Sequence, residues 1–96
     1  MRTNEILEGM IKKYGTTAQL NMVKEECAEL IQAICKYERN PCVETIMDIA
    51  EETGDVELTL PQLKIIFRRS HMESLVLIEK GKKMMRMEKL LKEKAK

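Results

Sequence analysis

The stretch QLNMVKEECAELIQAICKY (Gln19–Tyr37) decides the fold. Leu20, Val23, Cys27, Leu30, Ile31 and Ile34 recur at i, i+3 and i+4, the apolar stripe of an amphipathic helix. Thr16 or Thr17 is expected to cap this helix. Arg39-Asn40-Pro41 should end it, because a residue before proline is pushed out of the α region. Upstream, Ile6, Leu7, Met10 and Ile11 give a shorter helix from about Thr3 to Tyr14, with Gly15 at the C-cap. Downstream, residues 43–69 read as helical with apolar residues on two sides. Ile46, Ile49, Ala50, Val56 and Leu60 lie on one, Met47, Leu58 and Ile65 on another. A helix of that kind is central in a bundle or packs on a second chain. Pro61 should kink or break it near 57–61. Ser70-His71-Met72-Glu73 matches an S-x-x-E capping box and should open a final basic helix, about 71–96.

A single all-α domain spanning residues 1–96 is therefore expected, a small bundle of three to five helices. Composition agrees. Of 96 residues, 44% are apolar and 34% charged, which excludes a disordered tail. Four Gly and two Pro are too few turn-formers for an all-β chain. The net charge of +1 argues against a nucleic-acid coat or a polybasic membrane binder. No run approaches the ~18 apolar residues of a membrane span, and MRTNEILEGMIKK has no leader core. Cys27, Cys35 and Cys42 form no C-x-x-C and fit reduced thiols. A cytoplasmic location is expected, without membrane or nucleic-acid partners.

Charge is unevenly placed. Residues 43–57 hold Glu44, Asp48, Glu51, Glu52, Asp55 and Glu57 and no base. Residues 80–96 hold Lys80, Lys82, Lys83, Arg86, Lys89, Lys92, Lys94 and Lys96 against Glu88 and Glu93. The basic tail is either a solvated helix face or a polyanion contact.

The carboxylates carry the chemistry. Glu25-Glu26-x-x-Glu29 sets Glu26 and Glu29 about 60° apart on one helix face. Glu52-x-x-Asp55 repeats the arrangement, and Asp48 extends its face. Like charges one turn apart repel. No base stands four residues on to relieve them: Leu30 follows Glu26, Ala33 follows Glu29 and Val56 follows Glu52. A divalent cation removes the conflict. Hard Mg²⁺ takes oxygen ligands, waters and substrate phosphates. Four carboxylates from two antiparallel helices could hold one or two ions and leave positions open for a polyphosphate. Each motif alone is equally compatible with a solvated helix face. A di-iron bundle would need Glu-x-x-His, and the lone His71 stands in a cap region instead. No phosphate-binding glycine loop and no nucleophile elbow is present. Cys27 lies on the apolar stripe, as a packing residue would.

Together these stretches resemble the MazG-like members of the all-α nucleoside triphosphate pyrophosphohydrolases. The family pattern is E-E-x-x-E, a variable gap and E-x-x-D. Here 22 residues separate Glu29 from Glu52. IKKYG before the first motif, A-E-L-I after it, G-D-V after the second and Q-L-K-I-I-F beyond extend the likeness over about residues 5 to 90. Lys83-Met-Met-Arg86-Met resembles the family's K-L-x-R-L. Two departures stand out: Pro61 interrupts a helix that relatives leave unbroken, and Met replaces Leu in the last motif.

The resemblance implies a Mg²⁺-dependent enzyme, with Mn²⁺ as a substitute, that hydrolyses a nucleoside triphosphate to monophosphate and pyrophosphate. It implies Glu26, Glu29, Glu52 and Asp55 as metal ligands. Glu25 becomes a further ligand or the group that orients the attacking water. Lys83 and Arg86 become phosphate contacts, or else a solvated face. A homodimer or tetramer is implied as well. Two alternatives remain: a non-catalytic dimeric helical module with a basic tail, and a narrower dUTP or dCTP pyrophosphatase.

Overall fold

The computed structural model describes residues 1–93, so Lys94 and Lys96 of the basic tail lie outside the described residues. The described chain is all-α, with no strand. It runs α1 (Thr3–Tyr14), α2 (Thr16–Arg39), α3 (Val43–Thr59), α4 (Gln62–Ile66), a 3-10 turn (Arg68–Ser70) and α5 (Met72–Glu93). Two compact units result, one covering Met1–Ile66 and a second beginning at Phe67.

Gly15 joins α1 to α2 by itself. At φ 93° and ψ 157° it closes α1, its N–H donating to the Ile11 carbonyl at 2.8 Å. The same residue is the N-cap of α2, where no side chain caps the helix. Neither Thr16 nor Thr17 therefore has the expected capping role, because the chain re-enters the helix one residue after leaving it. This backbone region is open essentially to glycine alone.

The expected stop at Asn40-Pro41 is present: α2 ends at Arg39, and Asn40 lies outside the helical region at φ −148° and ψ 77°. Residues 40–42 then reverse the chain. Thr45 ties this link down. Its hydroxyl lies 2.9 Å from the Asn40 carbonyl, to which it donates, and accepts the Cys42 N–H at 3.2 Å. So short a link makes α2 and α3 an antiparallel hairpin, the principal packing of the first unit. Buried Val23 and Ala33 of α2 and buried Thr45, Val56 and Thr59 of α3 form its seam. Leu7 of α1 and Gln62 of α4 are buried with them, and α1 packs on α2 and α4.

Pro61 breaks the third helix where expected. Having no N–H, it cannot continue the ladder. The Thr59 hydroxyl bonds back to the Asp55 carbonyl at 2.9 Å, and i to i−3 bonds, Leu63 to Leu60 and Lys64 to Pro61, start α4. The segment 43–69 is thus three pieces, not one bent helix.

The Ser70 capping box does not form. His71 stands before α5 in the left-handed region, φ 58° and ψ 38°, and its carbonyl accepts the Leu75 N–H. Ser70 is spent inside the 3-10 turn, its N–H bonded to Phe67. His71 is exposed, in keeping with a surface or capping residue.

Of the apolar side expected on the third segment, Ile46, Ile49, Ala50, Val56 and Leu60, only Val56 is buried. Thr45, Val56 and Thr59 face inward, while Val43, Ile46, Met47 and Leu58 are exposed. Ile31 and Ile34 of the α2 stripe are exposed as well. In α5 no residue is buried.

Replacing Gly15 by Ala is expected to cost about 1–3 kcal/mol through backbone strain. Gly9→Ala, in the interior of α1 with nothing within 4 Å of the new methyl, is expected to gain roughly 0.5–1 kcal/mol. Urea denaturation of both variants checks the opposite signs; equal effects would show that Gly15 is not conformationally required.

Candidate metal centre

The hairpin sets the carboxylates of its two helices against each other. Glu26 lies beside Asp55, and Glu29 beside Glu52. Each i, i+3 pair on one helix thus meets the reciprocal pair on the other, as antiparallel packing with one shared face requires. One oxygen from each of Glu26, Glu29, Glu52 and Asp55 falls within 4.8 Å of all the others. Glu29 is exposed; the other three are half-buried. One oxygen of Glu26 and one of Glu52 are shielded from solvent with no hydrogen-bond partner among the described residues.

Such a cluster is strained electrostatically. Burial raises the Glu26 carboxyl above its ordinary 4.5, with further upward pushes from Glu29, Asp55 and Glu25. Glu52 rises to about 7, first through burial, then through hydrogen bonding and repulsion with Glu29 and repulsion from Asp55 and Glu26. Alone, the protein relieves the cluster by binding protons there more readily than separate carboxylates do.

A hard divalent cation fits this donor set. All four donor residues are carboxylates, one oxygen each of Glu26 and Glu52 lacks a partner among the described residues, and no nitrogen or sulfur donor belongs to the cluster. The four residues expected as ligands are the ones that converge.

The other site residues lie elsewhere. Glu25 is exposed on α2 and outside the cluster of four. Lys83 and Arg86 are exposed on α5, in the second unit. A polar cavity of about 210 Å³ adjoins the cluster, lined by Glu29, Gln32, Ala33, Lys36, Asp48 and Glu52. Sequence reasoning missed Gln32 and Lys36. Their signal was positional: they follow Glu29 by three and seven residues, on one helical face.

With its pKa raised, Glu52 holds its proton longer in the folded state than in the unfolded chain. Between about pH 4.5 and about pH 7 the folded state binds more protons, so metal-free stability should fall as pH rises, then level off. Melting curves across that range check the sign. Above pH 7, millimolar Mg²⁺ should raise Tm, a site at a hundredfold excess over Kd contributing about 2.7 kcal/mol. The Glu26→Gln, Glu52→Gln double variant should melt higher than wild type without metal and lose most of the Mg²⁺ response. Equal Mg²⁺ shifts in both proteins would place the ion elsewhere.

No protein-family model, no curated protein and no solved structure matches this chain.

Proposed function

We propose that the chain is a Mg²⁺-dependent nucleoside triphosphate pyrophosphohydrolase, releasing nucleoside monophosphate and pyrophosphate. The observation that carries this reading is the convergence of Glu26, Glu29, Glu52 and Asp55 from two helices to within 4.8 Å. The motif resemblance, which rests on the same carboxylates together with their flanking residues, points the same way.

These four residues would hold the ion. Mg²⁺ there supplies positive charge against a triphosphate and acidifies water. An ion bound there would give the shielded oxygens of Glu26 and Glu52 a partner. Glu25, exposed one residue from Glu26, is free to orient the attacking water or accept its proton. Water adds to the α-phosphorus, the bond to the bridging oxygen breaks, and that oxygen leaves with pyrophosphate. Lys83 and Arg86 are assigned to phosphate contact from the Lys83-Met-Met-Arg86-Met pattern alone. Nucleotide triphosphates are the substrates, with a dUTP- or dCTP-restricted enzyme as the narrower form, and the cytoplasm the site of action.

Self-association belongs to the same proposal. Val43, Ile46, Met47 and Leu58 form an apolar surface on α3, and Ile31 and Ile34 another on α2. These surfaces favour a homodimer or tetramer. They also support the second reading, a dimeric interaction module without catalysis. Magnesium separates the two, since a module is indifferent to it.

Glu52→Gln and Asp55→Asn should each lower kcat/KM for pyrophosphate release by at least about 100-fold, because each removes charge stabilisation worth several kcal/mol. Far-UV helicity should be kept. Chromatography should show monophosphate and pyrophosphate; diphosphate and inorganic phosphate would rule out attack at the α-phosphorus. Light scattering at micromolar concentration should report a dimer or tetramer, and a clean 11.2 kDa species would contradict self-association.

A further inference from the structure

We propose that the cavity beside the carboxylates receives the pyrophosphate end of the nucleotide, with Lys36 as the basic residue of the cavity wall. This rests on the reading of the four carboxylates as a nucleotide-hydrolysing centre and names a group which that reading leaves unassigned.

The hairpin register locates the cavity. Glu26 lies beside Asp55 and Glu29 beside Glu52, so the antiparallel pairing carries Ala33 to the level of Asp48, one turn nearer the link. Glu29 and Glu52 belong both to the cluster and to the cavity wall, which makes the two spaces adjoin. Ala33 is buried in that wall, and its small side chain leaves room that a longer residue would fill. Lys36 stands two turns from Glu29, about 10 Å along the axis. That offset suits a ligand lying along the groove between the helices, reaching away from the carboxylates.

Charge decides what the ligand is. A triphosphate approaching Glu29, Asp48 and Glu52 meets repulsion along the groove. The cation held by the carboxylates offsets it only locally. Of the residues lining the cavity, Lys36 alone is basic. It forms no ion pair with a described residue, although three carboxylates share the cavity with it. Its ammonium is therefore available to an incoming anion without a pair having to break first. Three rotatable N–H donors on a compact charge suit phosphate oxygens. Gln32, one turn back, adds an amide donor. Asp48 on the facing helix repels the same anion, so binding there needs both the metal ion and Lys36.

Calorimetry with inorganic pyrophosphate tests this, using the full chain with and without Mg²⁺. Lys36→Met should weaken Mg²⁺-dependent pyrophosphate binding about tenfold or more, the loss of one charged hydrogen bond. Lys36→Arg should restore most of it, and binding of Mg²⁺ alone should be unchanged in both variants. Product inhibition gives a second readout: Lys36→Met should relieve inhibition by pyrophosphate and leave inhibition by nucleoside monophosphate intact. Pyrophosphate binding within twofold of wild type overturns the assignment, as does loss of monophosphate inhibition instead, which would give the cavity to the nucleoside. If wild type hydrolyses triphosphates and only these Lys36 effects are missing, this inference fails alone. If wild type with Mg²⁺ neither binds pyrophosphate nor hydrolyses triphosphate, the functional reading falls with it.

Discussion

Four carboxylates held together by two helices constrain everything else in the first unit. Each pair is tolerable on its own helix, where repulsion one turn apart costs a few tenths of a kcal/mol. Closing the hairpin sets one pair on the other and removes part of their water. The seam of Val23, Ala33, Thr45, Val56 and Thr59 must supply the free energy that opposes this. That seam is thin and partly polar. A protein of this size has little surplus, so charge at the cluster weighs heavily against its modest core.

The convergence was legible because helical period and carboxylate identity suffice for it. Glu26 and Glu29 share a face wherever α2 points, and Glu52 and Asp55 do likewise. Chain breaks were legible where backbone chemistry leaves no choice, at Gly15, Pro41 and Pro61. Caps were not. Ser70 has the right spacing to Glu73, but the cap position belongs to His71, whose left-handed backbone is set by the preceding 3-10 turn. Thr16 and Thr17 were bypassed because Gly15 serves both helix ends. Periodicity also identifies an apolar face without saying whether anything covers it: Val23 is buried, whereas Ile31 and Ile34 on the same stripe are exposed. Lys36 escaped notice because its neighbours Asp48 and Glu52 come from the other helix, and only the register brings them to one wall.

Asp48, Glu52 and Asp55 follow the inward edge of α3, while exposed Val43 and Met47 lie on its back and Leu58 stands one turn beyond Asp55. In α5 no residue is buried, and described ion pairs such as Lys82–Glu79 and Lys92–Glu88 lie on its solvated surface. Exposed pairs of this kind contribute little to stability.

The link at residues 40–42 has a consequence for how the protein comes into being. All four carboxylates lie within the continuous span from Glu26 to Asp55, joined through one tight reversal pinned by Thr45. Contacts between neighbouring helices are short-range in sequence and form early and fast. The hairpin can therefore assemble while α4 and α5 are still emerging during synthesis. The like charges of its two helices then meet at that stage, and their repulsion is met first by the hairpin seam alone.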